Sequence, residues 1–149
     1  MADQHQDHRI VVGVDNSTDS TEALRWAVTY AQLTGGSVEA IVAWQAPPMY
    51  AYAAGRRPTG IDDAGIIRYA EQALAETVAQ VQGEYDNSVA VTTHVREGPP
   101  AQVLLQAGKG AELMVLGSRG HDAFAGMLLG SVSQHCVQHA VCPTVVIPN

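Results

Sequence analysis

Short apolar segments alternate with segments of helical periodicity along almost the whole chain. Runs rich in β-branched residues predict five strands, at 9–14, 38–44, 89–95, 113–116 and 143–148. Apolar residues recur at helical spacing between them, most clearly over 64–85, and proline brackets the last strand, which suits a sheet edge. Strands that alternate with helices form a parallel sheet covered on both faces. The pattern therefore predicts an α/β, doubly wound fold.

Polar residues mark the helix starts. The first helix follows the turn Asp15-Asn16-Ser17, and Ser17, Asp19 and Ser20 are all suitable as its N-cap. A short helix follows Gly98-Pro99-Pro100, since proline is tolerated in a first turn. The last helix starts at Ser131 or Ser133. Each of these polar residues has two interpretations, as a cap or as a ligand contact, and the two are compatible for the serines.

Composition restricts the class of protein. The 149 residues suit a single domain over 1–149 with a flexible tail over 1–8, and 46% hydrophobic against 15% charged residues is typical of a folded chain. A net charge of −7 argues against nucleic acid and anionic membrane surfaces as partners. The first nine residues contain no apolar signal-peptide core, and no membrane-spanning run follows, so we expect a cytoplasmic protein.

Two cysteines lie near the C-terminus with histidines beside them. Cys136-x2-His139-x2-Cys142 has the outline of half a zinc site. A structural zinc site needs four ligands, and no second pair stands elsewhere in the sequence. We therefore favour Cys136 and Cys142 as small buried residues and predict no metal site made by the protein alone.

The strand at 113–116 runs directly into a glycine-rich segment. Gly117, Gly120 and Gly130-Ser131 form the pattern G-x2-G-x9-G-S. Glycine permits a close approach of the backbone to a ligand, and a helix start offers amides and partial positive charge to an anion. The spacing matches neither the P-loop nor the dinucleotide fingerprint, and no lysine follows the last glycine. If the first and fourth strands are neighbours, this loop and the turn at Asp15 flank one crevice.

With these motifs the chain resembles the universal stress protein family over nearly its whole length. The segments that carry the resemblance are 12–17, 95–98, 116–120, 130–133 and 145–148. The family's ATP-binding members carry G-x2-G-x9-G-S/T, which is intact here. The resemblance implies a five-stranded parallel sheet of order 3-2-1-4-5, ATP with Mg²⁺ on its phosphates in the crevice, and a homodimer through the strand from Thr144 to Pro148.

The resemblance also implies a role for each site residue. Gly13 and Asp15 would line the ribose and adenine side, and Ala43 would meet adenine through its backbone. The ribose and the first phosphates would be wrapped by Leu116, Gly117, Ser118, Arg119 and Gly120. The β- and γ-phosphates would be held by Gly130, Ser131, Val132 and Ser133.

The sequence leaves two function classes open. One is a dimeric, nucleotide-dependent regulatory switch of the stress response, with the connection from Gln45 to Ile61 and the segment His121 to Leu129 as the parts that move. The other is a slow ATPase or an autophosphorylating phosphotransferase, with Ser131 or Ser133 as acceptor. No motif for a hydrolase or kinase mechanism is present, so we favour the switch and assign no catalytic residue.

Overall fold

The computed structural model describes residues 8–45, 63–86, 88–120 and 128–148. Most of three segments named above lies outside these ranges: the tail, the connection from Gln45 to Ile61, and the segment His121 to Leu129. The strands are β1 (Arg9–Gly13), β2 (Ser37–Trp44), β3 (Val91–Glu97), β4 (Leu113–Gly117) and β5 (Thr144–Ile147). The helices are α1 (Thr18–Thr34), α2 (Asp63–Gly83), α3 (Pro100–Ala107) and α4 (Ser131–His139).

The five strands form one parallel sheet in the order β3-β2-β1-β4-β5, which confirms the predicted fold class and strand order. In the centre, Ile10 of β1 pairs with Val38 on one side and Leu113 on the other. The chain moves outward from β1 to β2 and β3, and then crosses back to β4. The strand order therefore reverses between β1 and β4, and their carboxyl ends border the crevice where parallel sheets bind ligands.

Both faces of the sheet are buried, and alternate residues of β1 divide between them. Ile10 and Val12 belong to a core built with α1 and α2, whereas Val11 belongs to a smaller core with α3 and α4. All three side chains have 0% exposure, so each contributes about 1.5–3 kcal/mol of transfer free energy relative to an exposed side chain. Helices on both faces explain why the central strands are apolar throughout rather than alternating.

The third strand begins and ends two residues later than the apolar pattern predicts. Val89 is buried but precedes the strand, in a segment where the carbonyl of Ala90 accepts a hydrogen bond from the Val38 amide at 2.9 Å. At the other end, Arg96 and Glu97 pair with β2 although both are exposed. Because β3 is an edge strand, polar side chains remain solvated there and the apolar pattern does not mark its limits.

The helices are amphipathic in the predicted way. Helix α2 buries Leu74, Val78 and Val81 along one face, at the spacing of successive helical turns. The spacing places all three against the sheet and leaves the intervening polar residues toward solvent. No helix within the described ranges is long and apolar enough to cross a membrane.

Candidate functional site

A cavity of about 240 Å³ lies at the carboxyl ends of β1 and β4. Its wall is formed by the ends of three strands, by the turn that precedes α1, by helix α3 and by the start of α4. The lining residues are Gly13, Val14, Asp15, Ser20, Ile41, Ala43, Pro100, Leu104, Leu116, Gly117, Arg119, Gly120, Gly130, Ser131, Val132 and Ser133. The pairing of β1 with β4 thus brings the two predicted loops to one crevice.

Every predicted site residue except Ser118 lines this cavity. The set includes Ala43, which lies more than 70 positions from the glycine loop in sequence and comes beside it because β2 is next to β1. The fold therefore gathers in one place residues that the family resemblance singled out from four separate segments.

Helix α4 starts beside the cavity without a side-chain cap. Its N-cap is Gly130, in an extended conformation, and the first intrahelical bond runs from the Gln134 amide to the Gly130 carbonyl at 2.9 Å. Neither Ser131 nor Ser133 is the cap, because both already lie inside the helix. The amides of the first helical turn therefore have no acceptor within the helix, and the partial positive charge of the helix start faces the crevice.

The two serines of this turn have different surroundings. Ser131 is exposed, whereas Ser133 is 4% exposed and its hydroxyl lies 2.9 Å from the Ser118 carbonyl and 3.1 Å from the Gly130 carbonyl. A single hydroxyl proton can serve only one of these acceptors at a time. The Ser133 side chain thus holds the glycine loop together, and only the Ser131 hydroxyl is presented to solvent.

Ser118 connects the loop to three other parts of the molecule rather than lining the cavity. Its amide donates to the Ile147 carbonyl of β5 at 2.9 Å, and its carbonyl accepts from the Gly130 amide at 2.6 Å. Its hydroxyl donates to Oδ2 of Asp19 in α1 at 3.4 Å. Ser118 is 6% exposed, and its hydrogen bonds stabilise the conformation of the loop. The sequence pattern does not indicate the direction of its side chain.

Side chains at the start of α1 cap the helix and form the turn before it. Ser17 is the N-cap, and its hydroxyl accepts from the Ser20 amide at 3.2 Å. The Asp15 carboxylate accepts from the Ser17 amide at 3.0 Å and also bonds the Ser17 hydroxyl, and Asn16 between them has a left-handed φ of 64°. Asp15 therefore shapes the turn and lines the cavity at once, so its two sequence interpretations are compatible.

Two glycines of the loop are confined by neighbouring atoms. A Cβ at Gly117 would lie 2.8 Å from the backbone carbonyl carbon of Asp19, and a Cβ at Gly120 would lie 2.6 Å from the carboxylate of Asp15. Real Cβ contacts are not this short. Gly117 thus permits α1 to pack closely on the end of β4, which is a structural reason for this glycine independent of any ligand.

Charge in the cavity wall is sparse. Among the lining residues, Arg119 is the one cationic and Asp15 the one acidic side chain. Arg119 is held through its backbone, where its amide donates to Asp19 Oδ2 at 3.1 Å. A polyanionic ligand would depend mainly on backbone amides and on a bound cation for charge neutralisation.

Sequence reasoning missed five lining residues: Val14, Ser20, Ile41, Pro100 and Leu104. Leu104 had one available signal, a glycine within the otherwise β-branched first strand. A Cβ at Gly13 would lie 2.8 Å from Leu104 Cδ1, so this glycine makes room for α3. The other four could be recognised only from the positions of neighbouring elements.

Cys136 is a small buried residue as predicted, whereas Cys142 is only half-buried and His139 is exposed. Cys136 has 0% exposure, and its Sγ lies 4.0 Å from the Ala101 carbonyl oxygen. Burial raises the pKa of this thiol to about 11, which opposes the thiolate that zinc requires. Within the described ranges, no group of three or more potential metal-ligating side chains comes together.

Comparison with known proteins places this chain among relatives of one kind. The model of the Universal stress protein family matches residues 8–148. A universal stress protein of Mycobacterium tuberculosis (strain H37Rv) is 37% identical over 137 residues, 92% of this chain and 44% of the relative. One from Mycolicibacterium smegmatis is 30% identical over 99% of this chain and 50% of its own length. The chain thus spans about half the length of these curated relatives.

Solved structures share the fold. A universal stress protein from Lactobacillus plantarum superposes with a TM-score of 0.72 at 23% identity, covering 95% of this chain and 97% of that one. A universal stress protein from Archaeoglobus fulgidus, solved in complex with dAMP, gives a TM-score of 0.62 at 26% identity, with 93% and 96% coverage.

Proposed function

The chain belongs to the universal stress protein family, and from this premise we propose that its cavity binds an adenine nucleotide, ATP with Mg²⁺. The observation that carries the proposal is the uncapped start of α4 at the edge of the cavity. Free amides and the helix dipole make such a start favourable for phosphate. The dAMP complex of the Archaeoglobus fulgidus relative supports an adenine nucleotide as the class of ligand.

The position of the lining residues supports one orientation of the ligand. The ends of β1 and β2, with Gly13, Asp15 and Ala43, would receive ribose and adenine. Residues 116, 117, 119 and 120 would contact the ribose and the first phosphate, whereas Ser118, whose backbone groups are already bonded, would hold the shape of the loop. The amides of residues 131–133 would bind the terminal phosphates, because the anion would be nearest the helix start there.

Magnesium would enter this cavity coordinated by the phosphates of the nucleotide. Mg²⁺ prefers oxygen ligands and keeps several waters. The wall offers the carboxylate of Asp15 and the hydroxyl of Ser131 as oxygen ligands. Among the described residues, no group of three His, Cys, Asp or Glu side chains that could hold a metal comes together. The ion would neutralise phosphate charge where the wall provides Arg119 as its cationic side chain.

We propose further that the nucleotide acts as a regulatory signal in a homodimer formed through the edge strand, from Thr144 to Pro148. Strand β5 is four residues long, half-buried throughout and paired on one side with β4. An apolar edge strand favours pairing with a second copy. Such a switch requires that ATP binds one arrangement of the dimer more tightly than another.

Slow hydrolysis or autophosphorylation is the alternative function. The exposure of the two serines limits which of them could accept the phosphoryl group. Transfer of the terminal phosphoryl group needs an accessible acceptor. Ser131 lines the cavity and is exposed, whereas the Ser133 hydroxyl is buried and bonded to loop carbonyls. If the protein labels itself with radioactive phosphate from ATP, Ser131 is the expected acceptor.

The direct test counts nucleotide on protein purified without added nucleotide. The protein is denatured, and the supernatant is analysed by ion-pair chromatography. We expect adenine nucleotide near one per chain, mostly ATP for a switch and mostly ADP for a slow ATPase. Absence of nucleotide, together with no thermal shift on adding Mg-ATP, would contradict nucleotide binding.

The matched variants are Ser131→Asp and Ser131→Ala. Aspartate at this exposed first helical position places a negative charge where the phosphates would bind, so we expect ATP affinity to fall about 100-fold or more, while the helix itself tolerates the residue. Alanine removes the hydroxyl without adding charge and should cost less than about tenfold. Equal affinities in the two variants would argue against phosphate at the start of α4.

A further inference from the structure

We propose that Asp19 is a positioning residue, which fixes the glycine loop in its ligand-binding shape by hydrogen bonds rather than by contact with the ligand. This inference rests on the proposed nucleotide site and concerns how that site is held in place. Asp19 does not line the cavity, although Gly117 and Arg119, which it contacts, do. Its effect would therefore reach the ligand through the backbone of the loop.

The contacts join two elements that are distant in sequence. Oδ2 of Asp19, in the first turn of α1, accepts from the Arg119 amide at 3.1 Å and from the Ser118 hydroxyl at 3.4 Å. The Asp19 backbone also lies directly against Gly117 at the end of β4. Asp19 thus meets three consecutive loop residues, two by hydrogen bonds and one by close packing.

The next residues along the loop carry this restraint to the start of α4. The Ser118 carbonyl accepts from the Gly130 amide at 2.6 Å and lies 2.9 Å from the Ser133 hydroxyl. A rotation of the peptide between Ser118 and Arg119 would move this carbonyl and the Arg119 amide together, because the peptide is planar. Asp19 holds the amide side of that peptide, and Gly130 and Ser133 engage the carbonyl side.

The charge of Asp19 and its hydrogen bonds have opposite consequences for an anionic ligand. A carboxylate near the phosphates repels them. Its hydrogen bonds, in contrast, order the peptide beside them, and bonds to an ionised acceptor are the stronger kind. Asparagine keeps an oxygen that accepts the Arg119 amide and loses the charge, so it separates the two effects.

The experiment measures ATP and adenosine affinity by calorimetry for the wild type, Asp19→Ala and Asp19→Asn. We expect Asp19→Ala to weaken ATP about tenfold and to leave adenosine within about twofold, because the loop serves the phosphates. Asp19→Asn should stay within about threefold of the wild type for ATP. Equal weakening of ATP and adenosine, or the same loss in both variants, would overturn the proposal.

Asp63→Ala is the matched control. Asp63 is exposed, lies in the first turn of α2 and does not line the cavity, so its replacement removes the same charge from an equivalent helical position. ATP affinity should be unchanged in this variant. A loss like that of Asp19→Ala would show that the effect does not depend on the contacts of Asp19 with the loop, and would overturn the proposal.

A second readout needs no ligand and separates this inference from the nucleotide proposal. Hydrogen exchange of the Arg119 amide, followed by NMR on the free protein, should be about tenfold faster in Asp19→Ala and near the wild-type rate in Asp19→Asn. Unchanged exchange in Asp19→Ala would overturn the positioning role even if ATP binds. Faster exchange in a protein that binds no ATP would support the positioning role and contradict the nucleotide site.

Ser118→Ala provides a milder variant if Asp19→Ala does not fold. It removes the hydroxyl bond to Asp19 and leaves the backbone bonds of residue 118 in place. We expect ATP affinity to fall about two- to fivefold and adenosine affinity to stay the same. A folded Ser118→Ala protein with wild-type ATP affinity and wild-type Arg119 exchange would overturn the proposal.

Discussion

Helices α1 and α4 begin at the same crevice, and they begin in opposite ways. Helix α1 follows β1 with Ser17 as a side-chain cap, supported by Asp15, whereas α4 follows the glycine loop with Gly130 and no side-chain cap. Both starts are at the carboxyl end of the sheet and carry the same partial positive charge. One start is satisfied by the protein itself, and the other is left for solvent or a ligand.

The difference distinguishes a helix start that the protein caps with its own side chains from one that it leaves uncapped. The polar side chains at the start of α1 form the turn and, through Asp19, bond the glycine loop. Before α4 the loop offers glycines, and the buried hydroxyl of Ser133 bonds loop carbonyls instead of helix amides. Glycine thus precedes the uncapped helix start, and serine precedes the capped one.

Gly117→Ala, beside the capped start of α1, has the largest expected effect on the free energy of unfolding. The new Cβ would lie 2.8 Å from the Asp19 backbone, so α1 must move away from β4. Overpacking of this kind costs about 1–3 kcal/mol of unfolding free energy. Urea denaturation measures the loss, and an unchanged midpoint would show that α1 is not held as closely as described.

Gly130→Ala is the corresponding change at the uncapped start of α4. Its Cβ would meet the Arg119 Cα at 3.3 Å, and the backbone at φ −68° and ψ 165° suits an L-residue. We expect a loss below about 1 kcal/mol in the same denaturation experiment, smaller than for Gly117→Ala. The reverse order would mean that the uncapped start is the more tightly packed of the two.

Removal of the cap on α1 has the second-largest expected effect on stability. Ser17→Ala deletes the acceptor for the Ser20 amide and the partner of the Asp15 carboxylate. Loss of a serine N-cap costs about 1 kcal/mol. Thermal unfolding should show the loss, with Thr18→Ala, an exposed neighbour, as the control. A midpoint equal to that of the control would remove the contrast between the two helix starts.

The smallest effect has the opposite sign. Ser131→Asp adds a negative charge to the uncapped start of α4, and a helix N-terminus favours such a charge by about 0.3–1 kcal/mol. The variant should therefore unfold at a slightly higher temperature above about pH 5, where aspartate is ionised, and should lose this gain below about pH 3. A decrease in stability at neutral pH would indicate that the start of α4 already has its partners.

The α/β fold could be predicted because apolar runs and helical periodicity are local signals, whereas the strand order was implied only by the family resemblance. The apolar pattern misplaced the limits of β3, where the edge position allows Arg96 and Glu97 to continue a strand without an apolar pattern. Short-range patterns report burial, and an edge strand is only half-buried.

For the candidate site, spacing identified which residues share the loop but not where their side chains point. Ser118 stands inside the glycine motif and turns away from the cavity, toward Asp19. Pro100 and Leu104 lie outside every motif and line it, because α3 crosses the end of β1 at Gly13. Such placements depend on packing between elements, which no local pattern encodes.

The bond from the Ser118 amide to the Ile147 carbonyl joins the loop to the strand proposed as the dimer edge. If nucleotide and a partner copy bind as proposed, a shift of the loop on ligand binding would displace the backbone of β5 through this bond, and a partner copy on β5 would displace the loop. Linkage would make the two effects equal: the factor by which nucleotide tightens dimerisation would be the factor by which dimerisation tightens nucleotide binding. The cellular concentration of the protein would then set its nucleotide affinity.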